Sequence, residues 1–390
     1  MSTSKKEKSE KEAEQLSIFD IFLCLPYRII ALLNMGLWLW YFCVRVCLSH
    51  NIDIFQVLKL QVSQQDLLKI QSRTLDFTLS ITAVSFCSVA GCILFNIQGY
   101  QWKAIEFIPL IVILYIILRL FYGRSPNKRR LTQTVRRILI GNIDMDFRSN
   151  DILLTDTLTS YSKVMLDFII YLLSLRRGSV LPNIETQTVS INRDINAVLE
   201  MAIISYPILI RFNQCLSEYH FSGNRNKLHL YNSIKYCTGL LPLLIRIYLQ
   251  ASTPHNKLQT IITHLWYLSL FIHSLFGLIW DISIDWNFQM FSTTLSGQSE
   301  LLRTKLMFNV KLYYYLAIII DTCLRFVWIG RFNGYLNHHL FQRESGYFLL
   351  QCLEIFRRWV WLFIKVETEF LKTMNADVEN TYEMGDIKYT

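Results

Sequence analysis

The chain has 390 residues, 52% of them hydrophobic and 14% aromatic, with a formal net charge of +9 and a mean hydropathy of +0.28. Apolar residues gathered in runs of about twenty exclude an ordinary soluble domain and predict an all-α, polytopic membrane protein. The positive charge lies in the loops between those runs, which suits membrane lipids with anionic headgroups and argues against a nucleic-acid partner.

Nine cysteines fall mostly inside apolar segments with no Cys-x-x-Cys pair, so they read as reduced packing residues, and neither a metal nor a cofactor is expected. No nucleophile elbow, Gly-rich phosphate loop or zinc-type histidine pair stands out, so an enzyme is not expected either.

Residues 1–15, beginning MSTSKKEKSEKEAE, read as a disordered charged tail without the cleavage pattern of a signal peptide. Residues 16–122 read as scaffold helices. The chain is predominantly apolar from Leu16 to Leu48, with interruptions that include Pro26, Arg28 and Asn34, which gives one span near 29–48 behind an interfacial segment, or two crossings. Trp38, Trp40 and Tyr41 suit an interfacial belt. Spans near 77–98 and 105–122 carry few charges, and Ser85, Ala90 and Gly91 suit close packing against the core or, in a homodimer, a second copy.

The loop 123–150 holds Arg124, Lys128, Arg129, Arg130, Arg136, Arg137 and Arg148 against Asp144 and Asp146, which assigns it to the cytosol. Within it LTQTVRRILIGNI is an amphipathic helix for the cytosolic leaflet. Six spans follow in 151–371, near 152–175, 196–216, 231–250, 260–281, 311–330 and 346–367. An even number puts the acidic tail 372–390 back in the cytosol. The total is about nine spans, or ten if 16–48 crosses twice.

Every one of the last six spans carries an ionisable residue. The span 311–330 holds Asp321 and Arg325, and 346–367 holds Glu354, Arg357 and Arg358. A charge at mid-bilayer costs about 2.5–3.5 kcal/mol on insertion scales, so such groups face a partner or a water-filled path. Asp321 with Arg325 and Glu354 with Arg358 are i,i+4 and share a helix face. Two readings follow: a salt-bridge network between helices, or an anion path, favoured because three arginines outnumber two carboxylates on these helices. Asp281 and Asp285 are also i,i+4, flanked by Trp280 and Trp286, and read as a gate or as interfacial anchors at a helix end. Trp328, three residues from Arg325, is spaced to stack on a guanidinium or to narrow the path.

These stretches carry a family resemblance. LEIFRRWVWLFIKVETEF resembles the terminal signature of the EXS family, LE-x-FRR-[FW]-x-W-x-F-[FI]-[RK]-x-E-x-E; YYYLAIIIDTCLRFVW resembles the family's preceding helix, and IWDISIDWNF its Trp-Asp…Asp-Trp motif. In TDTLTSYSKVMLD, Asp156 matches the acid of an Ala-Asp-x-Leu-x-Ser pattern, and Thr159 stands where exporters often have Asn. YPILIRFNQCL supplies the family's arginine as Arg211, and NSIKYCTGL its Lys-Tyr pair as Lys235 and Tyr236. The family's Gly after Asp-Trp is Asn287 here.

The family includes SPX-EXS phosphate exporters and a shorter fungal Golgi kind without an SPX domain, which this chain resembles in length. The resemblance implies an EXS-type six-helix conducting core behind N-terminal scaffold helices. Arg211, Lys235, Tyr236, Arg325, Arg357 and Arg358 would contact inorganic phosphate. Asp156, Thr159, Asp281, Asp285, Asp321, Trp328 and Glu354 would supply counter-charges and gate. It implies phosphate export from the Golgi lumen to the cytosol, supporting glycosylation and retention of resident proteins. The alternative is a non-transporting sorting scaffold whose cytosolic loop or tail binds a glycosyltransferase-sorting adaptor.

Overall fold

A computed structural model describes residues 19, 23–59, 64–97, 103–122, 126–177, 197–251, 257–290 and 301–387, all of them helix, turn or irregular chain with no strand. The tail expected at 1–15 lies outside these residues. Helix α1 (Leu25–Ser49) starts with proline in its first turn, where a missing N–H leaves no bond unmade. It stops at Asn51, whose φ of 58° is left-handed. A single turn, Ile54–Val57, follows; its cap Asp53 accepts from the amides of Phe55 at 2.9 Å and Gln56 at 3.1 Å. Then come α2 (Gln64–Ile97), α3 (Ile108–Phe121), α4 (Pro126–Leu139), α5 (Arg148–Ser160), α6 (Ser162–Arg177), α7 (Ala197–Phe221), α8 (Lys227–Ala251) and α9 (Lys257–Trp280). Helix α9 ends in a π-helical turn, Asp281–Asp285; α10 (Leu312–Arg325) ends in a 3₁₀ turn, Val327–Phe332; and α11 runs from Glu344 to Ile387.

The molecule is an all-α, multi-pass membrane protein. Among the described residues, four segments are long and apolar enough to cross a bilayer: Leu25–Ser49, Leu67–Phe95, Ala104–Phe121 and Lys257–Asp285. The pair α5 and α6, bent by 58°, makes a fifth. The other expected spans fall on α7, α8, α10 and α11, each of which carries charge. At 14 residues α10 is only about 21 Å long, and the rest of its expected span 311–330 is the 3₁₀ turn Val327–Phe332. The boundary expected at 371 is not a helix end, because α11 continues to Ile387.

Helices α1 and α11 form the spine. Helix α11 packs on α1, α5, α10 and the Ile54–Val57 turn, and α1 on α2, α3 and α6. The α1–α2 contact carries a polar ladder: Tyr27 with Ser88 (3.1 Å), Asn34 Nδ2 to Ser85 (2.9 Å) and Trp38 Nε1 to Thr82 (3.1 Å). In hydrocarbon such bonds stabilise by about 0.6 kcal/mol each. One apolar cluster joins the end of α1 and the 54–57 turn to Trp286, Phe308 and residues 360–370 of α11. The other, at the opposite end, joins the start of α1 to α3, α6 and Ile355. Asn150 Nδ2 donates to Leu58 O at 2.9 Å, so the basic segment and the C-terminal half of α11 lie at one end of the bundle.

Candidate anion pathway

Six elements bring charge to the bundle interior: α5, α7, α8, the Asp281–Asp285 turn, α10 and α11. On α10, Asp321 accepts from Arg325 Nε at 2.8 Å, the i,i+4 pair that the spacing predicts. Asp321 also accepts from Arg357 at 3.0 Å and is 1% exposed, so one buried carboxylate joins two guanidiniums. Arg325 is completed by Asp281, to which its Nη2 bonds directly. Gly277, one turn before Asp281, makes room for this: a Cβ there would strike the Arg325 guanidinium. Ser274 closes the site by donating to Arg325 O at 3.0 Å and accepting from Trp328 Nε1 at 3.1 Å. Trp328 therefore packs at the end of α10 beside Tyr267 and Phe332 rather than on a guanidinium.

The second i,i+4 expectation resolves differently. Glu354 holds Arg357, three residues on, through two bonds of 2.6 and 3.1 Å. Arg358 points to α5, donating to Ser160 Oγ at 3.0 Å and Thr159 Oγ1 at 3.3 Å, with its guanidinium 4.7 Å from the Trp361 ring centre. The Ser160 hydroxyl donates in turn to Glu354 at 3.1 Å. Glu354 thus reaches Arg358 only through Ser160. With Asp281 the cluster holds three arginines and three carboxylates, and Arg358 is the arginine of the three that bonds hydroxyls in place of a carboxylate.

One turn earlier on α5, Asp156 accepts from Arg211 Nε and from Tyr236 OH, each at 2.8 Å. Arg211 is 2% exposed and also bonds Tyr236 OH (3.0 Å) and Gln214 (3.0 Å). Gln214 donates on to Thr155 and to Asn142 O, both at 3.2 Å. Lys235 lies over the rings of Tyr236 (4.6 Å) and Trp280 (5.1 Å). Asp285 holds Lys365 at 2.9 Å and Trp361 Nε1 at 3.3 Å.

All thirteen residues singled out in the sequence lie on these six elements or, for Trp328, directly after α10. They divide by partner. Arg211, Arg325 and Arg357 each bond at least one carboxylate. Among the described residues no carboxylate lies within 4 Å of Arg358 or of Lys235; hydroxyls and aromatic rings hold them instead. Both cations are partly buried; Arg358 offers a planar fork that grips two oxygens and Lys235 a point charge, the two kinds of donor that an oxyanion takes. Sequence reasoning missed Ser160, Gly277, Trp361 and Lys365. Ser160 is the last residue of the Asp-x-Leu-x-Ser pattern and was legible there. Gly277 carried no local signal, since its role is space for a side chain 48 residues away in the chain.

Comparison with known proteins agrees with the motifs. The EXS family model matches residues 23–371. Protein ERD1 of Kluyveromyces lactis is 28% identical over 93% of this chain and 98% of its own length. Protein ERD1 of Saccharomyces cerevisiae is 26% identical over the same shares. Solute carrier family 53 member 1 of Mus musculus is 32% identical over 42% of this chain and 23% of that protein. With the family match covering nearly the whole sequence, the chain belongs to the EXS family.

Proposed function

We propose that this protein carries inorganic phosphate from the Golgi lumen to the cytosol, recovering a by-product of glycosylation and so supporting glycosylation and the retention of resident ER and Golgi proteins. The observation that carries the reading is the pair of cations Arg358 and Lys235, held by hydroxyls and aromatic rings where Arg211, Arg325 and Arg357 each bond a carboxylate. Arg358 supplies the two-oxygen fork, Lys235 the point charge, and Tyr236 and Thr159 neutral donors. The carboxylate-bonded arginines keep the walls in place, and the nearby carboxylates keep binding weak enough for release. The similarity to a solute carrier supports a carrier rather than an enzyme. The family resemblance supports the Golgi compartment, and the basic loop supports a cytosolic C-terminus. The test is phosphate flux through vesicles reconstituted with the purified protein.

Exposed Arg129 and Arg136 on α4 support a second role as a docking surface for a cytosolic sorting adaptor. The exposed apolar residues of α2 and α3, such as Phe86 and Ile111, suit lipid or a second copy of the chain. Flux separates the two roles: a scaffold alone carries no phosphate.

A further inference from the structure

Helix α11 repeats a cation every seven residues: Arg358, Lys365 and Lys372. On an unbroken helix this spacing keeps them on one face, about 10 Å apart along the axis. The face starts at the central cluster and ends where Lys372 is 54% exposed, at the end of the bundle that also holds the basic segment. The middle member is buried. The Lys365 side chain is 10% exposed and clamped between Asp285 Oδ1 at 2.9 Å and Glu369 Oε1 at 3.2 Å. Glu369 also holds Lys372 at 3.1 Å. Trp361 separates Lys365 from Arg358: its ring lies against the Arg358 guanidinium, and its N–H donates to the same Asp285 at 3.3 Å.

We propose that Lys365 is a second oxyanion station on the exit side of the path, and that Asp285 locks it. Resting, Asp285 neutralises Lys365 and holds Trp361 across the route. An anion leaving Arg358 displaces the Asp285 carboxylate from Lys365, is held there as a weak site, and passes to the exposed Lys372. A site that must both accept and release an ion needs such a competing internal charge. Asp285 stands at the end of a π-helical turn, where a backbone shift of the carboxylate disturbs no regular α-helical bonding downstream. This deepens the transport reading and rests on it for the identity of the anion.

The experiment uses the full-length purified protein with inorganic phosphate as the probe, and measures both equilibrium binding in detergent and flux in vesicles. Asp285→Asn keeps the shape and an acceptor for Trp361 and removes one of the two carboxylates on Lys365, leaving Glu369 alone; it is expected to add weak phosphate binding that disappears again when Lys365→Gln is combined with it. Lys365→Gln alone is expected to lower maximal flux about tenfold with an unchanged half-saturating phosphate concentration at the inlet, the scale of losing one charge-assisted contact. The neutral double variant restores the fold wherever a lone buried charge spoils it. If the pair is only structural, the double variant carries phosphate at the wild-type rate and Asp285→Asn gains no binding; that result overturns the proposal. Wild-type vesicles that carry no phosphate, together with an Asp285→Asn site that requires Lys365, would defeat the transport reading and leave the station standing.

Discussion

Arg358 donates its Nε–H to the hydroxyl of Ser160 at 3.0 Å and not to Glu354, the acid one turn earlier on its own helix. The choice decides what Arg358 is for. A guanidinium paired in place by i,i+4 geometry would be wall; one held by a neutral hydroxyl keeps its charge for a ligand. Ser160→Ala should therefore leave protein level and location unchanged and lower phosphate flux about tenfold, since a hydrogen bond to a charged group contributes about 1.5–3 kcal/mol. Flux in vesicles, normalised to protein level, checks it. Arg358→Lys should recover part of the flux of Arg358→Ala, because the charge returns without the two-oxygen fork.

Asp321 has the opposite character. It is 1% exposed and serves Arg325 and Arg357 together. Asp321→Asn should destabilise the protein by about 3–5 kcal/mol, the scale of leaving a buried charge without its partner. The Glu354 side chain is 37% exposed, so water screens the loss and Glu354→Gln should cost clearly less. Thermal unfolding of the two purified variants, side by side, gives the order; equal losses would contradict it.

Gly277→Ala places a methyl group against the Arg325 guanidinium. Overpacking of this kind costs about 1–3 kcal/mol, and here it also pushes Arg325 away from Asp281. Reduced thermal stability together with reduced flux is expected, while Gly91→Ala, with nothing within 4 Å, serves as the silent control.

The basic segment and the C-terminal half of α11 share one end of the bundle through the 54–57 turn. Protease sites placed in the 123–125 stretch and after residue 387 should accordingly be cut from the same side of sealed membrane vesicles. Cleavage of one with protection of the other would contradict the arrangement.

Much of this was legible in the sequence. Long apolar runs fixed the helices, and charges inside such runs marked the residues that must meet, because hydrocarbon forbids them to stand alone. Asp321 with Arg325 was readable from spacing, since both lie on one helix. Glu354 was assigned to Arg358 by the same rule and instead took Arg357: i,i+3 and i,i+4 are both neighbours, and what chose between them was Ser160 on another helix. The partners of Lys365 and the space at Gly277 depend on which helices lie side by side, which no local pattern records. Charge inside a run was no guide to which helices carry the site, since the apolar segment Lys257–Asp285 supplies Asp281 and α5 supplies Asp156 and Ser160.

The most direct measurement is the loss of radiolabelled phosphate from sealed vesicles containing purified wild-type protein, Arg358→Ala or Lys235→Ala, each folded and present at equal level. The account predicts saturable phosphate flux for wild type and at least about a tenfold loss in both variants, the scale of one charge-assisted contact. Wild-type protein without flux, or both variants carrying phosphate at the wild-type rate, would contradict it.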